Sequence, residues 1–69
     1  MSIIKTRLAD EIRLSGLSMK EIAEKIGVTP EMVTQYKTTQ KLPSVETLAL
    51  LCKVLDVSAD YILGLSDPK

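Results

Sequence analysis

Residues 19–36, MKEIAEKIGVTPEMVTQY, decide the fold because they hold two short helical patterns joined by a tight turn. Ser18 lies just before the first pattern, and Glu21 follows three residues later. The two side chains can form a capping box, in which each accepts a hydrogen bond from an otherwise unpaired backbone N–H. Gly27 can adopt the left-handed conformation that often ends a helix. We therefore expect a helix over residues 19–26.

The second pattern begins with a threonine and a proline. Thr29 is a good N-cap residue, and Pro30 suits the first helical position because its missing N–H is not needed there. Val33 and Tyr36 are three residues apart and would form the inward face of this helix. These features predict a helix over residues 30–37.

Three small or β-branched residues have the spacing of a helix-turn-helix. Ala23 falls where two helices would cross, Gly27 makes the sharp turn, and Val33 packs the second helix onto the first. A larger side chain at the crossing would push the helices apart. The alternative is an ordinary antiparallel helical hairpin, whose loop can have the same length.

The remainder of the chain predicts three more helices, over about residues 3–15, 45–55 and 59–63. The fold class is therefore all-α, a single domain of five helices across residues 1–69. Apolar side chains recur at helical spacing in the first and fourth helices, which predicts a buried stripe on each. These residues are Ile4, Leu8, Ile12, Leu14, Leu48, Leu51, Cys52 and Leu55. Leu42, in the loop before the fourth helix, is expected to fold inward.

The composition fits a small helical domain of balanced charge. The 69 residues include no Phe or Trp, so aliphatic side chains must build the core. Nine basic and nine acidic residues give no net charge, and no global field attracts nucleic acid or membranes. Residues 1–41 hold seven basic and five acidic side chains, a local surplus of two positive charges. A site for a polyanion must therefore be local.

Lys5, Arg7 and Arg13 lie largely off the first stripe and are expected to aid solubility.

Few residues are suited to catalysis or metal binding. The chain has one cysteine and no histidine, which excludes an intramolecular disulfide, a cysteine-rich metal site and a histidine proton shuttle. We expect no enzyme activity, no metal and no cofactor, with Cys52 acting as a small core hydrophobe.

The charged N-terminus is not typical of a signal peptide, and no apolar run approaches the roughly 20 residues of a membrane span. A cytoplasmic location without membrane contact is expected.

About residues 7–64 resemble the Cro and phage-repressor family of helix-turn-helix regulators, also called the xenobiotic-response-element family. The similarity is carried by LSMKEIAEKIGVT and LPSVETLALLCKVLDVSADYILG. It implies a compact lambda-repressor-like domain, usually dimeric, whose third helix enters the major groove of double-stranded DNA. The chain departs from the family pattern on the side that would face DNA. There Met19 replaces a frequent glutamine, Lys37 a frequent glutamate and Thr39 a frequent loop glycine.

Contacts with DNA bases are expected on the exposed face of the third helix. Gln35 could form two hydrogen bonds with the edge of adenine, and the Thr34 methyl could pack on thymine. Glu31 could accept a hydrogen bond from cytosine. Alternatively, its carboxylate could remain solvated and only interact favourably with the dipole at the helix N-terminus. The expected base contacts are Thr34, Gln35, Thr38, Glu31 and Pro30. The alternative is that these residues merely cover a solvated face.

Phosphate contacts are expected from the start of the second helix and from the end of the third helix with its following loop. Hydroxyl, amide and ammonium groups there can donate to phosphate oxygens. The residues are Met19, Lys20, Lys37, Thr39, Gln40 and Lys41. About two to four neutralised phosphates per subunit would give a dimer a logarithmic salt slope of about −4 to −7.

A second, smaller apolar stripe on the fourth helix predicts a dimer interface. Leu50 and Val54 are four residues apart and point away from the buried stripe. With Tyr61 and Leu65 they make a candidate interface for a two-fold homodimer, which would hold its recognition helices about 34 Å apart. The alternative is that these residues pack beneath the fifth helix and the residues after it.

The sequence thus favours one function and keeps a second open. The first is a sequence-specific transcriptional regulator, a repressor by preference, that binds an inverted-repeat operator as a homodimer without a cofactor. The alternative is a protein-interaction module, such as an antitoxin-like partner, that keeps the fold with weak or no DNA readout. Met19, Pro30, Glu31 and the zero net charge favour this alternative.

Overall fold

The computed structural model describes residues 2–66, which contain five α-helices and no strand. The helices are α1 (Ile3–Leu14), α2 (Met19–Ile26), α3 (Pro30–Thr38), α4 (Val45–Leu55) and α5 (Ala59–Ile62). Each begins at the predicted residue. Helices α1 and α5 end one residue earlier than predicted, and α3 ends one residue later. None of the five is long and apolar enough to cross a membrane. The predicted all-α, five-helix fold class is confirmed.

Every helix is preceded by a serine or threonine whose side-chain oxygen accepts a hydrogen bond from an N–H of the first turn. These N-caps are Ser2, Ser18, Thr29, Ser44 and Ser58, with donor–acceptor distances of 3.0–3.2 Å. At α2 the Ser18 N–H also donates to the Glu21 carboxylate at 3.0 Å, so the predicted capping box is confirmed. Local side-chain chemistry therefore fixes where each helix starts.

Two helix ends use the left-handed backbone conformation. Gly27 has a φ of 76°, and its N–H donates to Ala23 O at 2.9 Å, which confirms the predicted glycine cap between α2 and α3. Asp56 ends α4 in the same conformation with a φ of 55°, and it is the one non-glycine residue with positive φ in the described range. Helix α1 instead ends on Ser15 in the right-handed conformation, and Gly16 turns left-handed one residue later.

The core lies where the five helices meet. Helix α2 packs against α3 and α4, α1 packs against α3 and α5, and α4 packs against α5. The buried apolar residues are Leu8, Ile12, Ile22, Ala23, Ile26, Val33, Tyr36, Leu51 and Ile62. Ala23, Val33 and Tyr36 are buried as the helix-turn-helix spacing predicts. The α2–turn–α3 unit is therefore held by its own inner face as well as by its caps.

Two predictions about burial are wrong, and one is confirmed only in part. Leu14 is 77% exposed because it lies one step off the row of Leu8 and Ile12, at the last turn of α1. Leu42 is 47% exposed and does not fold inward, since the irregular segment before α4 keeps it at the surface. On α4 only Leu51 of the predicted stripe is fully buried, and the other three residues are partly buried.

Candidate nucleic-acid interface

Helix α3 presents a polar face to solvent because its apolar side chains point into the core. Val33 and Tyr36 are buried, and Met32 packs partly against the core, so the rotation of the helix about its axis is fixed. The residues predicted to contact bases are all exposed on it, namely Pro30, Glu31, Thr34, Gln35 and Thr38. With nine residues, the helix offers a polar face about 13 Å long.

The side chains of this face differ in how much of their hydrogen bonding is already used. The Thr34 hydroxyl donates to Pro30 O at 3.1 Å, and the Thr38 hydroxyl donates to Thr34 O at 2.8 Å. Both threonines therefore keep a methyl group and oxygen lone pairs for an outside partner, while their hydroxyl protons serve the helix. The Gln35 side chain makes no hydrogen bond within residues 2–66 and keeps its donor and its acceptor.

The start of α2 offers one cation and one apolar side chain. Lys20 is exposed, and its ammonium can reach an anion. Met19 is partly buried and packs against the core, so its side chain serves the fold. Of the two predicted phosphate contacts in this region, Met19 can offer only its backbone N–H at the helix N-terminus.

The segment after α3 is ordered by the side chain of Thr39. Its hydroxyl donates to Gln35 O at 2.7 Å and accepts from the Lys41 N–H at 3.1 Å. Thr39 has an extended backbone, with φ of −117° and ψ of −176°, which stops the helix. Thr39, Gln40 and Lys41 are exposed and Lys37 is half-buried, so all four predicted phosphate contacts at this end lie close together in sequence and at the surface.

Lys5 is the residue that the sequence reasoning missed. It is only 4% exposed, and its ammonium donates to the backbone oxygens of Tyr36, Gln35 and Lys41. Burial lowers the pKa of the Lys5 ammonium. The prediction that Lys5 serves solubility is wrong. The missed signal was its position three residues before Leu8, on the same side of α1 as the buried stripe.

A groove of about 250 Å³ runs between α1 and the end of α3. Its lining residues are Lys5, Thr6, Ala9, Asp10, Arg13, Lys37, Thr38, Thr39 and Gln40. Arg13 and Lys37 thus bring positive charge to the same groove, although Arg13 also forms an exposed ion pair with Asp10. An exposed pair of this kind contributes little to stability. Helix α1 therefore places a cation and its carboxylate partner next to the predicted phosphate contacts.

The predicted dimer residues fall into two pairs. Leu50 and Leu65 are exposed, at 41% and 73%. Val54 and Tyr61 are partly buried and pack against the core. The Arg7 guanidinium lies 4.3 Å from the centre of the Tyr61 ring and donates to Tyr61 O at 2.6 Å. The prediction that Arg7 serves only solubility is therefore wrong, because this side chain joins α1 to α5.

Metal-binding side chains do not cluster in residues 2–66, where no three of His, Cys, Asp and Glu are arranged to hold an ion. Cys52 is partly buried against the core, and burial raises the pKa of its thiol. A raised pKa keeps the thiol protonated and weakly reactive. The chemistry of the described surface is thus that of hydrogen-bond donors, acceptors and cations around α3.

The chain is similar to known proteins over most of its length. Residues 8–62 match the family described as Helix-turn-helix. Among curated proteins, the uncharacterized HTH-type transcriptional regulator YobD of Bacillus subtilis (strain 168) is 43% identical over 61 residues. The HTH-type transcriptional regulator ImmR of the same organism is 33% identical over 58 residues. The cryptic phage CTXphi transcriptional repressor RstR of Vibrio cholerae is 28% identical over 61 residues.

These alignments cover most of this chain but only part of each relative. They include 88%, 84% and 88% of this chain, and 54%, 46% and 54% of YobD, ImmR and RstR, respectively. The chain thus spans about half the length of the curated relatives it matches. No solved structure is significantly similar to it.

Proposed function

Because this chain belongs to the Cro/C1-type helix-turn-helix family, we propose that it is a DNA-binding transcriptional regulator. The match over residues 8–62 confirms the family resemblance inferred from the sequence. The relatives named as HTH-type regulators and as a phage repressor support a regulatory role rather than an enzymatic one. The observation that carries the proposal is the exposed polar face of α3, held outward by buried Val33 and Tyr36. A role on DNA also favours a cytoplasmic location.

In the proposed complex α3 lies in the major groove, and Gln35 makes the most selective contact. Its free amide can donate to and accept from adenine at the same time. Thr34 and Thr38 can pack their methyl groups on thymine, since their hydroxyl protons are used within the helix. Glu31 can accept from the amino group of cytosine, and Pro30 approaches the base edges through its ring only.

Positively charged and polar groups on both sides of α3 would hold the DNA backbone. The proposed phosphate contacts are Met19 through its backbone N–H, Lys20, Lys37, Thr39, Gln40 and Lys41. Their contacts set the register of α3 in the groove but carry no sequence information themselves. Because the chain has no net charge, binding rests on these few contacts. We expect weak non-specific affinity and a shallow salt dependence.

We further propose that the protein acts as a homodimer on an inverted-repeat operator. Leu50 and Leu65 supply exposed apolar surface, and Val54 and Tyr61 supply the partly buried edge of the same interface. A two-fold axis there would place the two α3 helices on half-sites about 34 Å apart. Occupancy of such a site by the dimer would block transcription, which makes repression the proposed outcome.

Selection of genomic DNA fragments by the purified protein tests the proposal. We expect an inverted repeat to be enriched at about 50 mM salt and progressively lost toward about 200 mM salt. Gln35→Ala should weaken binding about tenfold and relax the preference at one base pair of each half-site. Lys41→Ala should weaken binding to all fragments alike. Lys53→Ala is the matched control, because Lys53 is an exposed lysine on α4, away from α3.

The absence of any enriched fragment at low salt would contradict the proposal. An equal loss on Lys53→Ala would show that general charge, and not the α3 side of the domain, governs binding.

The alternative function is a protein-interaction module with weak or no DNA readout. It is favoured by Met19, which packs against the core where the family often has a polar residue, and by the exposed carboxylate of Glu31. That carboxylate would be repelled by phosphates unless it meets a cytosine. Recovery of one protein partner, together with no enriched DNA fragment at low salt, would support this alternative.

A further inference from the structure

Lys5 is buried and is not itself one of the residues proposed to contact DNA or the dimer partner, yet its ammonium joins α1 to the end of α3. Its Nζ donates to Tyr36 O, to Lys41 O at 2.9 Å and to Gln35 O at 3.3 Å. An ammonium has three donors, so all of them serve one short segment. The side chain is almost fully buried, and its bond to Tyr36 O is shielded from solvent.

The ammonium supplies a hydrogen bond to Tyr36 O that the end of α3 cannot make by itself. In a continuing helix the Gln40 N–H would donate to Tyr36 O. The extended backbone of Thr39 prevents this, and no such bond occurs within the described residues. The carbonyls at a helix C-terminus also carry partial negative charge, which favours a nearby cation. Lys5 therefore replaces the missing donor and completes the end of α3.

The same ammonium fixes the backbone beyond the helix. Lys41 lies outside any helix, yet both of its backbone polar groups are bound. Its N–H donates to the Thr39 hydroxyl at 3.1 Å, and its C=O accepts from Lys5. The Lys41 side chain is exposed, so it extends toward solvent from a backbone that is held on both sides.

We propose that Lys5 is a positioning residue for DNA binding, which holds residues 39–41 in the geometry that brings Lys41 and Gln40 to phosphate. The inference rests on the proposed function of this segment. A preordered loop loses less conformational freedom on binding than a mobile one, and its contacts therefore gain affinity. Lys5 itself does not touch DNA.

A double-mutant cycle in DNA binding tests this role, with Lys5→Met, Lys41→Ala and the pair. Methionine keeps the buried aliphatic stem and removes the three donors. Each single change should weaken binding about fivefold to tenfold and make the salt slope of the dimer shallower by about two, because each subunit loses one phosphate contact. The double variant should bind DNA only slightly more weakly than the single variant with the lower affinity. The reason is that a mobile Lys41 already contributes little to binding. Lys20→Ala is the matched control, and its effect should multiply with that of Lys5→Met.

Two further measurements separate positioning from a general loss of structure. Amide hydrogen exchange at residues 40–42 should accelerate in Lys5→Met while exchange in α2 stays unchanged. Lys5→Arg, which keeps the charge and the donors, should recover part of the lost affinity. Should Lys5→Met fail to fold, Lys5→Gln takes its place in the cycle, because its amide retains one donor group for the same carbonyls.

The outcomes distinguish this inference from the proposed function. Losses that multiply for Lys5→Met and Lys41→Ala, or unchanged exchange at residues 40–42, overturn the positioning role while DNA binding stands. If the unchanged protein binds no DNA fragment at about 50 mM salt, the proposed function fails and the positioning role fails with it.

Discussion

Removal of the cap of the proposed recognition helix provides a direct test of how local chemistry sets this fold. The change is Thr29→Ala, which deletes the hydroxyl that accepts from the Met32 N–H at 3.2 Å. Thr29→Ser is the matched control, because serine keeps the hydroxyl and loses only a methyl group. Thr29 is exposed, so neither change opens a cavity.

The structure sets the expected loss at the lower end of the range for caps. Replacing an N-cap threonine by alanine costs about 0.5–2 kcal/mol. The Met32 N–H also donates to Thr29 O at 3.0 Å, and this backbone bond survives the change. We therefore expect a loss of about 0.5–1 kcal/mol for Thr29→Ala and a few tenths at most for Thr29→Ser. An unfolding entropy of about 2.1 cal/mol/K per residue converts this loss to a Tm lower by about 3–7 °C.

Thermal and urea unfolding followed by far-UV circular dichroism measures this difference, since the chain is helical and has no tryptophan. Both variants should unfold in one transition with an unchanged urea m-value. A loss above about 2 kcal/mol would refute the claim that the backbone bond compensates. Equal losses for Thr29→Ala and Thr29→Ser would show that the methyl group, and not the hydroxyl, stabilises the start of α3.

Three further changes test other features of the structure. Leu50→Glu should give a folded monomer by sedimentation, whereas Leu14→Glu, at an exposed leucine outside the proposed interface, should leave the dimer intact. Gly64→Ala should lower the unfolding free energy by about 1–2 kcal/mol, since residue 64 has a φ of 77° and a new Cβ would lie 3.0 Å from a methyl carbon of α1. Hydrogen bonds from the Ser18 backbone N–H and hydroxyl lower the pKa of Glu21 below 4.5. This group therefore stabilises the fold above that pH and ceases to do so as pH falls through the lowered pKa, so acid unfolding should be less steep in Glu21→Gln.

The helices were predictable from the sequence because their limits are set by neighbouring residues. Each start has a serine or threonine, and each acts through an N–H two or three positions away. The turn at Gly27 depends on the freedom of one glycine to adopt positive φ. The polar face of α3 was predictable for a similar reason, since Val33 and Tyr36 repeat with the helical period and leave the other positions outside.

Burial at the edges of the core was not predictable in the same way. Leu14 and Leu42 have the right side chain for a core but lie where no helix covers them. Lys5 has the wrong side chain for a core, yet carbonyls from residues far along the chain surround its ammonium. These outcomes depend on which segments meet in space, and hydrophobicity along the chain does not encode that.

The sequence by itself therefore determined the five helices, the helix-turn-helix and the outward face of α3, because caps, turns and helical periodicity act over a few residues. Only the tertiary structure decided that α1 completes the end of α3. The physical reason is that a buried ammonium is stable only where several carbonyl oxygens converge to accept its hydrogen bonds. Here those carbonyls belong to Gln35, Tyr36 and Lys41, thirty or more positions from Lys5.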